Sequence, residues 1–254
     1  MILAVDVGNT NIVIGFLEDK ELVNECRLST SADDSAEEYA IKLNSILEIC
    51  KINVKDIEGS VLSSVVPPLN RTISKAIMLI TGKMPIVVGP GVKTGLNIKI
   101  NNPAELGADM VVGAVAGTAK YPCPQIIFDL GTATTASVID KNGCFLGGAI
   151  LCGVKTGLNA LASSTAQLPQ IEIVAPENAI CTNTIDSMRS GTVFGTAAML
   201  DGLIKRFEAE LGEKATVIVT GGLGGVIAQY CESEVIVDRH LLIDGLRIIY
   251  EKNS

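Results

Sequence analysis

The most constraining feature of this chain is that it repeats itself. "AVDVGNTNIVIGFLEDKEL" near the start and "IFDLGTATTASVIDKNGCF" near the middle share one layout: apolar run, Asp-x-Gly, polar turn, second apolar run. Asp6 matches Asp129 and Gly8 matches Gly131, each pair 123 residues apart in a chain of 254. Self-similarity at about half the chain length is the mark of a duplicated fold. Each copy reads as strand, tight turn, strand, which is a β-hairpin. The expectation is an α/β protein of two similar halves facing each other across a cleft. No low-complexity linker separates them, and the expected domains are 1–118 and 119–254.

Other segments fill in the halves. "SAEEYAIKLNSILEICK" has helical periodicity, with Tyr39, Leu43, Ile46, Leu47 and Cys50 on one face. "GSVLSSVV" reads as a short buried strand stopped by Pro67 and Pro68, and "MPIVVGPGV" as another strand. Asn102, Pro103 and Glu105 carry the signals of a capped helix start. They predict one helix from there to about Lys120, with Asp109 two turns inside it. Thr184 is the expected cap of a long helix ending at Leu211. "KATVIVTGGLGGVIAQY" reads as strand, Gly-Gly turn and helix, and "LLIDGLRIIYEKN" as a closing helix.

Composition removes several function classes. The net charge of -8 disfavours a nucleic-acid partner, since neutralising phosphates needs a basic face. No apolar run reaches the length of a membrane span, and "MILAVDVGNT" lacks a basic leader. A cytoplasmic location is expected. The seven cysteines form no CxxC pair and are expected as reduced thiols that mostly fill the core. The single histidine, His240, leaves little room for a histidine-based triad.

The chemistry gathers at the Gly-containing turns. A bound phosphate needs several N–H groups converging on it, and a turn of Gly, Asn and Thr supplies them. Gly8 permits close backbone approach, and Asp6 could hold a hydrated magnesium ion on the phosphates. In the second copy Asp129 repeats Asp6, and Thr132, Thr134 and Thr135 add hydroxyls. Either turn alone matches an ordinary hairpin; the pair at duplicated positions favours a phosphate clamp. "VTGGLGG" is a third Gly-rich turn, and no GxxxxGK[ST] occurs anywhere. Asp109 stands among small and apolar residues, in "NPAELGADMVVGAV". An aspartate there is costly unless paired or functional. Desolvation would make it a better base.

The twin Asp-x-Gly hairpins resemble the acetate and sugar kinase/actin superfamily. At finer grain the chain resembles the type III pantothenate kinases along essentially its whole length. "DVGNTN", "SSVVPPL", "VVGPGVKTGLNI", "NNPAELGAD", "DLGTATT", "LGGAI", "TAQLP", "TGGL" and "DGLRIIYEKN" occur in the family's order. The resemblance implies two ribonuclease H-like domains in the actin-like ATPase fold. It implies ATP-dependent phosphorylation of pantothenate to 4'-phosphopantothenate, the first step of coenzyme A biosynthesis. It also implies a homodimer, with the substrate pocket near the dimer interface. ATP would be bound by Asp6, Val7, Gly8, Asn9, Thr10, Asn11, Ile12, Val13 and Thr132. Asp109 would take the proton from the pantothenate hydroxyl. Gly107, Ala108, Met110 and Thr184 would line the substrate site beside it, and Asp129 would hold a monovalent cation, potassium or ammonium.

Three positions depart from the family. Met110 stands where Arg follows the Gly-Ala-Asp, Ile100 where Tyr is usual, and Gly113 where Asn is usual. Losing an Arg partner to the substrate carboxylate costs about 1.5–3 kcal/mol, or roughly tenfold to a hundredfold in affinity. Two alternatives follow: a kinase of the same fold with a different small alcohol as acceptor, or a non-catalytic nucleotide-binding paralogue. Arg189, inside a mostly apolar helix, is a candidate to replace the missing Arg.

Overall fold

A computed structural model describes residues 1–254. The chain forms two compact units. One comprises residues 1–96, 102–116 and 241–254, and the other residues 97–101 and 117–240.

The first unit opens with β1 (Ile2–Val7), β2 (Asn11–Glu18) and β3 (Glu21–Ser29), followed by α1 (Ala36–Ile49), β4 (Gly59–Ser64), α2 (Pro67–Thr81) and β5 (Ile86–Val87). Its sheet order is β3-β2-β1-β4-β5, with β1 antiparallel to β2 and parallel to β4. One sheet face is the core. Leu3, Val5 and Val7 pack there with Tyr39, Leu43, Ile46 and Leu47 of α1 and with Leu69, Ile73 and Ile77 of α2. Each such side chain removed from water contributes about 1.5–3 kcal/mol. Ser35 caps α1, and Glu38 returns the bond in a capping box.

The second unit holds β6 (Asn97–Ile98), β7 (Gln125–Leu130), β8 (Ala133–Ile139), β9 (Cys144–Cys152), α4 (Val154–Ser164), α5 (Thr184–Leu211), β10 (Thr216–Thr220), α6 (Gly224–Ile227) and β11 (Ile236–Val237). Its sheet runs β11-β10-β7-β8-β9-β6. Apart from the added β6, this is the first sheet's order again: a three-stranded meander, then two parallel strands. Ile126, Phe128 and Leu130 meet Val193, Ala197, Leu200 and Ile204 of α5 in its core. The sequence repeat is therefore a repeat of topology.

Several expectations are corrected. The closing helix α7 (Leu241–Asn253) belongs to the first unit, so a single cut after residue 118 does not describe the division. The reason is steric. Glycines leave slots on the sheet face opposite α1 and α2: a Cβ at Gly15 would stand 2.7 Å from Ile243, and one at Gly59 2.1 Å from the Tyr250 hydroxyl. Pro67 and Pro68 do not merely stop β4. They begin α2, which Gly82 ends with φ +71°, because proline lacks only an N–H that the first helical turn leaves unused. The capping signals at Asn102 produce a short 3-10 turn, Pro103–Glu105, and α3 (Ala108–Lys120) starts afresh. Asp109 is thus in the first turn of α3, not two turns inside a helix. Asn183, not Thr184, caps α5: its side chain accepts from the Asp186 N–H at 2.9 Å. Of the seven cysteines only Cys144 is buried, so they are free thiols but not mainly core filler.

Candidate active site

Asp6 sits one residue before the end of β1, level with Val13 on β2 and Ser63 on β4. Strand alternation sends it to the face opposite Val5 and Val7. The turn that follows closes with the Gly8 N–H on the Asn11 carbonyl at 3.0 Å. Of the eight residues expected at the ATP phosphates, Asn9, Thr10 and Asn11 are exposed, while Val7 and Ile12 are core. Those two anchor the turn and offer only backbone to a ligand. Thr30, just past β3, holds the turn twice. Its hydroxyl donates to the Gly8 carbonyl at 2.7 Å, and its N–H donates to the Thr10 carbonyl at 3.0 Å.

The second unit repeats the arrangement one residue shorter. Asp129 is level with Thr135 on β8 and Thr220 on β10, and the Gly131 N–H closes on the Ala133 carbonyl at 3.0 Å. Thr132 is exposed at the tip. The third Gly-rich turn belongs here as well: at Gly221 (φ +87°) a Cβ would stand 2.5 Å from Asp129 Oδ1. Gly153 backs the tip, since a Cβ there would stand 2.1 Å from the Thr132 carbonyl. Asp129 and Thr132 therefore share one built corner. Thr134, a candidate hydroxyl donor, is instead fully buried, and its oxygen has no partner.

Asp109 is half-buried, with Oδ1 accepting from the Met110 N–H at 2.8 Å. Burial pushes its pKa above the ordinary aspartate value, against the opposing pull of that bond. Gly107 makes room for it: a Cβ there would stand 2.5 Å from Oδ1. Val65 lies close to both Gly107 and the end of β1. Its N–H donates to the Val7 carbonyl at 3.0 Å, and its side chain lies 3.9 Å from the same Gly107 position. Asp6, the 8–10 turn and residues 107–110 thus gather at one end of β1 and β4. The "SSVVPPL" motif shows its use only here. An added Cβ at Gly113, where the resemblance led one to expect Asn, would stand 3.5 Å from Leu242 on α7.

Thr184 lies at the exposed start of α5. It lines an open groove of about 550 Å³ with Leu168, Cys181, Asn183, Ser187 and Met188. Arg189 pairs with Asp186 at 3.2 Å, and its buried Nε has no hydrogen-bond partner. His240 is exposed, and no group of three or more His, Cys, Asp or Glu side chains converges as a metal site.

The sequence pattern of the type III pantothenate kinases matches residues 2–206. The chain belongs to that family. A type III pantothenate kinase of Exiguobacterium sibiricum is 47% identical over 254 residues, covering all of both chains. Solved structures extend the fold. Component A of the Acidaminococcus fermentans (R)-2-hydroxyglutaryl-CoA dehydratase matches with TM-score 0.56 and 16% identity, over 98% of this chain and 96% of its own. An Arthrobacter inorganic polyphosphate/ATP-glucomannokinase matches with TM-score 0.52 and 14% identity, over 98% and 97%. Both share the actin-like ATPase fold, as the duplicated sheets require. Sequence reading missed Thr30, Val65 and Gly153. No residue type marks them, because each acts by where its backbone or hydroxyl lands.

Proposed function

We propose that this chain phosphorylates pantothenate with ATP, the first step of coenzyme A biosynthesis. The observation that carries the reading is Asp109: a half-buried carboxylate with a raised pKa, beside Gly107, which lies near the Val65 that bonds the end of β1, in a chain of this family. The turns at Gly8–Thr10 and Gly131–Thr132 would grip the phosphates with backbone N–H groups. Asp109 would accept the proton of the pantothenate hydroxyl as its oxygen attacks the γ-phosphorus. The bond to the β,γ-bridging oxygen breaks, and ADP leaves. Gly107, Ala108 and Met110 would shape the acceptor site, and Thr184 would contact pantothenate in the α5 groove.

Asp6 and Asp129 each present a single carboxylate at the end of a central strand. One carboxylate plus phosphate oxygens suits a magnesium ion that keeps most of its waters. Asp6 would hold magnesium, and Asp129 a monovalent cation, with the Leu130 carbonyl approaching the same side of Gly221. Bound there, such cations would offset phosphate charge. The protein would act as a cytoplasmic homodimer. No helix is long and apolar enough to cross a membrane.

The apolar Met110 favours a second reading, a different small alcohol as acceptor. An ADP-release assay with pantothenate and a panel of alcohols, with and without potassium, tests both. Preference for pantothenate supports the first reading. ATP binding without turnover on any acceptor would leave only a non-catalytic role.

A further inference from the structure

Both phosphate turns carry the same unassigned device. The Thr30 hydroxyl donates to the Gly8 carbonyl at 2.7 Å, and the Thr156 hydroxyl donates to the Thr132 carbonyl at 2.8 Å. Each threonine follows the third strand of its hairpin meander: Thr30 directly after β3, Thr156 in the first turn of α4 after β9. They stand 126 residues apart (30 and 156), not the 123 of the repeat. One lies in a loop and the other on a helix. The likeness is in the bond made, not in the local sequence.

We propose that Thr30 and Thr156 are positioning residues that clamp the two ATP-binding turns in a phosphate-accepting shape. This rests on the reading of those turns as the ATP phosphate site. A turn that offers N–H groups to an anion carries equally strong carbonyl dipoles, and a carbonyl facing phosphate repels it. A hydroxyl that donates to such a carbonyl satisfies it and fixes its direction. Thr30 engages two carbonyls of its turn, counting its N–H on Thr10.

Each clamp is itself braced. The wholly buried Tyr39 of α1 donates its hydroxyl to the Ser31 carbonyl at 2.8 Å and accepts from the Ser31 N–H at 2.9 Å. The residue after Thr30 is thereby tied to the core. In the second unit, the bare Gly153 backbone leaves the space that the Gly131 and Thr132 carbonyls occupy, 2.5 and 2.1 Å from where its Cβ would be. The bracing differs, yet the result at the turn is the same. That is the pattern expected if the constraint is on the carbonyl.

The test uses full-length Thr30→Val, Thr156→Val, Thr30→Ser and Thr156→Ser proteins. ATP affinity is measured by calorimetry with magnesium and no acceptor, alongside steady-state kinetics and thermal melting. One lost hydrogen bond predicts ATP binding weaker by about three- to tenfold in each Val protein. Pantothenate KM stays within about twofold, and the Ser proteins bind ATP like wild type. The double Val protein shows roughly the product of the two losses, since the turns are separate. Wild-type ATP affinity in both Val proteins overturns the clamp. So do Ser proteins as weak as Val, or a loss shared equally by pantothenate KM and melting temperature. If wild type binds ATP but leaves pantothenate untouched, the acceptor reading fails, and the clamp is still judged on ATP affinity. If wild type binds no ATP, both fail.

Discussion

The Asp109 carboxylate occupies the space that a side chain at Gly107 would take, 2.5 Å from that missing Cβ. The glycine two residues before Asp109 therefore leaves the room in which the proposed base sits. Gly107→Ala forces the carboxylate to shift, and a displacement near 1 Å costs about a hundredfold in turnover. We expect kcat to fall by that order while ATP affinity holds. Wild-type kcat in this variant would show that the carboxylate has room to spare.

Asp109→Asn separates catalysis from stability. Loss of a general base predicts kcat lower by about 10²–10⁴-fold, with ATP binding intact. Because burial raises the Asp109 pKa, its ionisation costs folding free energy. The linked stability is present at low pH and is lost as pH rises through the folded value. The Asn protein lacks that loss. Its melting temperature relative to wild type should be higher at neutral pH than at acidic pH. In wild type, kcat should rise with pH through a midpoint above the ordinary aspartate range. Flat stability differences across pH would contradict the buried, ionising carboxylate.

Met110→Arg places beside Asp109 the cation that the resemblance leads one to expect there. If pantothenate is the acceptor, its KM should fall by up to roughly tenfold to a hundredfold, with ATP KM unchanged. Arg189→Ala is the counterpart, because Arg189 has an unpartnered Nε on the helix that begins at Thr184. A raised pantothenate KM there means Arg189 serves the substrate carboxylate. An unchanged KM leaves it as the Asp186 partner only.

Gly245→Ala probes the placement of α7. A Cβ there would stand 2.2 Å from the Val112 carbonyl, which is helix backbone and cannot swing away. Overpacking of this kind costs about 1–3 kcal/mol or more. Chemical denaturation should show that loss. Wild-type stability would mean that α7 and α3 separate easily.

The sequence by itself determined the doubled α/β plan, the two Asp-x-Gly turns and the isolation of Asp109. These are local facts. Strand alternation, turn residues and small-residue packing leave their marks within a few positions of one another. It also misplaced things for local reasons. Asn102 and Pro103 carry real capping signals, but they cap a 3-10 turn, and nothing nearby says that Leu106 turns extended and ends the run. Tertiary structure alone decided that α7 returns to the first sheet, through slots left by Gly15 and Gly59. It alone decided that Val65 lies by both Gly107 and the end of β1, and that Thr30 and Thr156 bond to turns 22 and 24 residues away. Such contacts depend on where distant backbone atoms meet, and one hydroxyl or one missing Cβ leaves no periodic trace in the chain.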